Sequence, residues 1–201
     1  VALLGGLAGG CNGEREGPSY ADAITQERVT RDMEMRSDRS VIPPRQRDSF
    51  RGLQYFAIDT TYRYTVPLDR RPRPDTVLIA ESTGGVAPQV RVGEVVVPFP
   101  PRPDTLEVFR VMEGESRGQL WIPFTDATNG QQTYAMGRYV DLDPVGGTPE
   151  AGSASPDSVR VDFNKAYNPT CTYDPTYACP IPPDENALPF PVPAGEQKPL
   201  L

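Results

Sequence analysis

The chain has 201 residues, 37% hydrophobic and 23% charged, which fits one globular domain with tails and an ordinary buried core. With 20 basic against 27 acidic residues the net charge is −7, the wrong sign for a nucleic-acid partner, which needs a basic footprint to displace counterions. Histidine is absent, which removes Ser-His-Asp and Cys-His nucleophile activation, histidine-ligated zinc and imidazole proton transfer; 24 prolines disfavour long helices.

The opening run from Val1 to Cys11 is apolar and rich in small residues, and it is too short to span a bilayer. It resembles the distal half of a secretory signal. Leu7-Ala8-Gly9-Gly10-Cys11 resembles a bacterial lipobox, with the aliphatic residue one place further from the cysteine than usual. The expectation is cleavage before Cys11, lipidation of its sulfur and attachment of an exported protein to a membrane of the bacterial cell envelope through that anchor. Residues 1–18 thus read as signal remnant, lipobox and tether, and residues 19–201 as a single β-rich domain with an N-terminal helix. Ser19 with Asp22 three residues on makes a capping-box start, and the Gly- and Pro-free stretch to about Asp38 predicts one charged helix. Its apolar stripe of Ala21, Ile24, Val29 and Met33 is thin, so the helix should pack along the outside of a larger body.

From Leu53 onward the texture changes to short β-rich runs between turn residues. Strands are predicted over 54–58, 62–66, 77–81, 89–97, 106–112, 120–124, 133–140 and 159–163. About eight strands without an intervening helical period predict a mainly β fold, an antiparallel sandwich or barrel. The Gly-, Ser- and Pro-rich segment 144–156 reads as a surface loop. Asn129-Gly130 supports the positive φ angles of a two-residue hairpin turn. In that register Trp121 lies opposite Arg138 and Phe124 opposite Ala135. Leu120, Ile122, Phe124, Ala135 and Tyr139 then share the core face, and Trp121, Tyr134, Met136 and Arg138 the other; a slip of one residue inverts the assignment.

From Asn168 prolines recur to the end, so this stretch can be neither sheet nor helix and should wrap the body as an extended strap. Once Cys11 is spent on lipid, Cys171 and Cys179 remain as an even pair, and an oxidising envelope would let them form a disulfide across seven intervening residues. A thiolate metal site is the alternative, but two cysteines without histidine make half a zinc site.

Three phrases resemble a known family. They are Phe50-x-x-Leu53-x-Tyr55-Phe56, then the run from Pro123-Phe124-x-Asp126 through Gly137-Arg138-Tyr139, then Asp162-Phe163-Asn164-x-Ala166-Tyr167-Asn168-Pro169-x-Cys171. The last continues through Cys179-Pro180-x-Pro182-Pro183-x-Glu185-Asn186 to Ala194-Gly195-Glu196. Together they are similar to the bacterial and archaeal family called domain of unknown function 1684, from about Tyr20 to Glu196. The resemblance implies one β-rich domain, often exported or lipid-anchored, and no particular activity.

The chemistry-bearing side chains concentrate in the last two phrases. The functional reading is a pocket with apolar ring walls, in which Arg138, Asp162, Asn164 and Asn168 orient a small ligand or an envelope partner beside Trp121, Tyr134 and Tyr167. The plainer alternative is that the Asp and Asn side chains satisfy the backbone of a strap that lacks ladder partners. Asp126, Asp162, Glu185 and Glu196 are the carboxylates from which a histidine-free hydrolase could draw a facing pair. Asp126, Asn129, Asp162 and Asn164 are oxygen donors of the type calcium takes, but no Asp-x-Asp-x-Asp-Gly loop is present, so no metal and no cofactor is expected.

Overall fold

A computed structural model of the chain describes residues 17–145 and 158–200. The lipobox with Cys11, and most of the predicted loop 144–156, lie outside the described residues. Helix α1 (Tyr20–Arg36) opens with the predicted capping box, Ser19 and Asp22 each accepting from the other's backbone or side chain. It buries only Ile24 and Met35, while Val29 and Met33 stay exposed. Polar anchors do the rest. Arg28 donates to the Phe56 carbonyl at 2.9 Å, and Lys165 pairs with Glu27 at 3.0 Å. A one-turn helix α2 (Pro44–Arg47) follows, with Pro44 at its first position where a missing N–H costs nothing.

The sheet is one closed antiparallel barrel of six strands, not eight and not a sandwich: β1 (Arg63–Ala80), β2 (Val86–Val97), β3 (Asp104–Arg110), β4 (Leu120–Phe124), β5 (Arg138–Val145) and β6 (Ser158–Asp162), in that order around the ring. Predicted strands 62–66 and 77–81 are the two ends of β1. Its first half pairs with β6 (Arg63 opposite Asp162) and its second with β2 (Ala80 opposite Val86). Pro72 and Pro74 fall where the β1–β2 register shifts between Arg70 and Asp75, so neither removes a ladder bond. Segment 54–58 forms only an isolated bridge, Tyr55 with Glu196. Alternation places Val66, Leu68, Val95, Val97, Leu106, Val108, Ile122, Phe124, Val140, Leu142, Val159 and Val161 inside the ring. Phe99, Phe124, Phe163 and Phe190 close it with ring centroids 5.2 Å apart in successive contacts. Gly93, opposite Arg70, has no room for a side chain, since a Cβ there would lie 2.3 Å from the Asp69 carbonyl oxygen.

The expected two-residue hairpin does not form. Asn129 and Gly130 sit inside a longer loop that bonds to itself: Asn129 Oδ1 accepts from the Asp126 amide, the Thr128 carbonyl accepts from three successive amides, and Thr128 and Thr133 hydroxyls meet at 2.8 Å. Residues 133–137 are therefore loop, and Ala135, expected in the core, is exposed. Pairing of β4 with β5 sets Phe124 opposite Arg138 and Trp121 opposite Asp141, three residues from the expected register. An odd shift exchanges the faces of β5. Arg138 thus points inward, in step with Val140 and Leu142, and Tyr139 points outward beside Trp121.

The C-terminal stretch is the predicted strap, broken only by single 3-10 turns. Its amides pair with whatever they cross: Leu188 with the Thr125 carbonyl, Ile181 with Ala80, Gln197 with Gln54. Asn186, fully buried, exchanges both amide bonds with Glu107 and donates also to the Pro123 carbonyl. Cys171 and Cys179 come together within the strap as two buried thiols, the Cys171 amide donating to Cys179 Sγ at 3.1 Å. The disulfide is not formed in this structure, and burial pushes the Cys179 thiol up to about 12, the Cys171 thiol beside it adding to the shift.

Candidate functional site

The polar residues expected to orient a ligand are absorbed into the scaffold. Arg138 has no solvent exposure. Its guanidinium donates to Asp126 at 2.7 Å and to the carbonyls of Val192, Ala194 and Glu196 in the strap, and it stacks over Phe124 at 5.1 Å. Loss of hydration pulls its pKa below the usual arginine value, and Asp126 opposes that. Asp162 takes the Tyr20 hydroxyl on both oxygens at 2.9 Å and caps the turn at Asn164. Asn164 exchanges both amide bonds with the Asp59 backbone, and Asn168 donates to Tyr173 and to the Gln197 carbonyl. Glu196, 1% exposed, gathers Arg31 at 2.5 Å, the Asn168 amide at 2.8 Å and the Tyr173 hydroxyl at 3.1 Å. Tyr134 sits against Cys171, and Glu185 is exposed on a 3-10 turn. None of Asp126, Asp162 or Glu185 lines the cavities described below. Among the described residues no three His, Cys, Asp or Glu side chains are grouped so as to hold a metal ion.

The concave site lies on the other side of the barrel wall. Phe109, Trp121 and Tyr139 project outward from β3, β4 and β5 and cluster with Ile79. Trp121 meets Tyr139 at 4.9 Å and 68°, and Tyr139 meets Tyr167 of the strap at 5.9 Å and 87°. Over these rings opens a cavity of about 600 Å³. One wall is the outer part of the β1–β2 hairpin (Thr76, Pro88, Gln89, Val90), which continues past Val90, the last residue of β2 to pair with β3. The second is the loop after β3 (Val111, Met112, Glu113), and the third is the strap (Tyr167, Pro180). The strap is tied down here by Tyr139, whose hydroxyl donates to the Pro180 carbonyl at 2.5 Å and whose backbone exchanges bonds with Tyr167. Trp121 Nε1 is buried there without a hydrogen-bond partner.

Tyr167 is shared with a second, polar cavity of about 440 Å³, lined also by Glu27, Arg31, Gln119, Asp141, Asp143 and Lys165. Its hydroxyl donates to Asp141 at 3.1 Å, and Arg31 stacks on its ring at 5.0 Å. Of the residues expected to contact a ligand, then, Trp121 and Tyr167 line the apolar cavity, whereas Arg138, Asp162, Asn164, Asn168 and Tyr134 do not. Sequence reasoning missed Tyr139 because it was placed on the core face. The alternation that continues beyond it, Val140 and Leu142 against Asp141 and Asp143, carries the correct parity.

Residues 48–197 match the profile of a family described as protein of unknown function, DUF1684. The solution NMR structure of an uncharacterized protein from Haloarcula marismortui is similar at 34% identity and a TM-score of 0.65, covering 87% of this chain and 92% of that one. No curated protein matches the chain.

Proposed function

The chain belongs to the DUF1684 family of proteins of unknown function, and for it we propose a non-catalytic binding role, taking a small, largely apolar ligand into the cavity between the β1–β2 hairpin and the strap. The observation that carries this reading is the aromatic cavity of about 600 Å³, a volume typical of small-molecule sites, over Trp121, Tyr139 and Tyr167. The hydrolase reading loses ground because three of its four carboxylates are spent, Asp126 on Arg138, Asp162 on Tyr20 and Glu196 on Arg31, and Glu185 is exposed on a 3-10 turn away from both cavities.

The proposal places the protein outside the cytoplasm, held at the envelope by lipid on Cys11 and with Cys171 and Cys179 oxidised to a bridge. The lipobox-like run and the meeting of the two thiols within the strap support it. Palmitate labelling that is abolished by Cys11→Ala checks the anchor; labelling that survives the substitution counts against it. For the ligand site, Trp121 is the only tryptophan in the chain, so intrinsic fluorescence reports the cavity directly. Titration with an apolar aromatic probe such as 1-naphthol should change its emission saturably, and Val90→Phe, which narrows the cavity without adding a second indole, should weaken the change. Emission indifferent to the probe in the folded wild-type protein would refute the reading.

A further inference from the structure

The lining of the aromatic cavity favours one sign of charge. Among the described residues, the only formally charged one on its lining is Glu113. Two cations near its rings are already neutralised: Arg31, behind Tyr167, is paired with Glu196, and Arg91, opposite Phe109 across the β2–β3 ladder, is clamped between Asp75 and Glu107. Of the cation–ring contacts among the described residues, none involves Trp121 or Tyr139. The quadrupoles of those two rings therefore carry no cation from the protein. The polar cavity beyond Tyr167 adds Asp141 and Asp143, its two cations being paired, Lys165 with Glu27 and Arg31 with Glu196, and the whole chain is anionic at −7, which raises the local concentration of cations.

We propose that the cavity binds a ligand bearing an alkylated, quaternary-type ammonium group, held against the rings of Trp121, Tyr139 and Tyr167, with the rest of the volume left for an attached apolar portion. Rings set at 68° and 87° to one another present faces in different directions, the arrangement in which several aromatic rings surround one soft cation. Alkyl groups on the nitrogen suit the apolar walls of Val90, Val111 and Pro180, while the side-chain acceptors of the lining are confined to Thr76, Gln89 and Glu113. This inference deepens the cavity reading of the previous subsection and rests on it.

The test compares choline with 3,3-dimethylbutan-1-ol, its carbon isostere, which has the same shape and no charge. Both are titrated against Trp121 emission at one ionic strength, with hexanoate as an anionic control and 1-naphthol as the neutral aromatic probe. Choline should half-saturate at a concentration about tenfold lower than the isostere, and hexanoate should be the weakest of the four. Tyr167→Phe, which keeps the ring, should retain the choline preference, and Tyr167→Leu should reduce it to less than threefold. If the leucine variant loses its far-UV circular dichroism, the wild-type comparison alone decides. Equal or tighter binding of the isostere overturns the ammonium assignment. Binding of 1-naphthol without choline does the same while leaving the cavity reading intact, and absence of binding by all four overturns both.

Discussion

An arginine without solvent contact must find counter-charge and acceptors inside the protein, and Arg138 finds one carboxylate and three strap carbonyls. Breaking such a pair by removing one member is costly because the other is left charged and buried. Arg138→Met should lower unfolding stability by about 3–5 kcal/mol in urea titrations, and adding Asp126→Leu should recover part of the loss. A change under about 1 kcal/mol would place the guanidinium outside the scaffold role assigned to it. Asp141 makes the opposite kind of residue-scale statement. The cavity wall strips hydration from its carboxyl and Asp143 adds repulsion, so its pKa is raised despite the Tyr167 hydrogen bond. A carboxyl with a raised folded pKa stabilises the fold only while protonated; that contribution is complete below the unfolded value and lost as pH rises through the folded one. Asp141→Asn should therefore stabilise the protein at pH 7 by a few tenths of a kcal/mol, since solvent still reaches and screens the group, and by nothing near pH 3. Thermal melts at the two pH values measure this; a destabilised variant at pH 7 would contradict it.

Among the elements, the strap is the one whose structure comes from tertiary contacts alone. Its prolines prohibit regular ladders, so its order depends on side chains that bond backbone. Asn186 is the clearest case, closing a two-way amide exchange with Glu107 in β3 and reaching Pro123 in β4. Asn186→Ala should cost about 2–3 kcal/mol, since buried backbone groups of two strands lose their partners, and hydrogen exchange at the Glu107 amide should accelerate. Unchanged exchange there would mean that the strap is held elsewhere. These elements were unequally legible. Strand β4 was predicted at its observed bounds, and β2, β3 and β6 within a few residues, because apolar alternation with β-branched residues marks half-buried strands directly. The merger of two predicted strands into β1 was hidden because Pro72 and Pro74 read as breaks, and only the register shift on β2 makes them tolerable. The hairpin was misread because Asn129-Gly130 is a local turn signal, while the longer loop is selected by Thr128, Asn129 and Thr133 bonding to one another.

At the scale of the molecule, a narrow six-stranded barrel has no interior room for a ligand, since its side chains fill it. A site must then form on its outside, where added chain can build walls. Here a hairpin longer than the ladder it serves and a strap that returns across the sheet supply them, around rings that β3, β4 and β5 turn outward. That the C-terminal stretch would run as an irregular strap was legible from its prolines. Which polar residues would face the recess was not, because buried scaffold acids and amides have the same composition as site residues and differ only in direction. The most direct measurement is a two-dimensional amide NMR titration of isotope-labelled protein with 1-naphthol. The single indole cross-peak of Trp121 and the amides of Gln89, Val90, Met112, Tyr139 and Tyr167 should shift together along one saturation curve, while those of Asn164 and Phe163 stay in place. Shifts confined to the surroundings of Asp162 and Asn164, or an indole peak that does not move, would contradict the account.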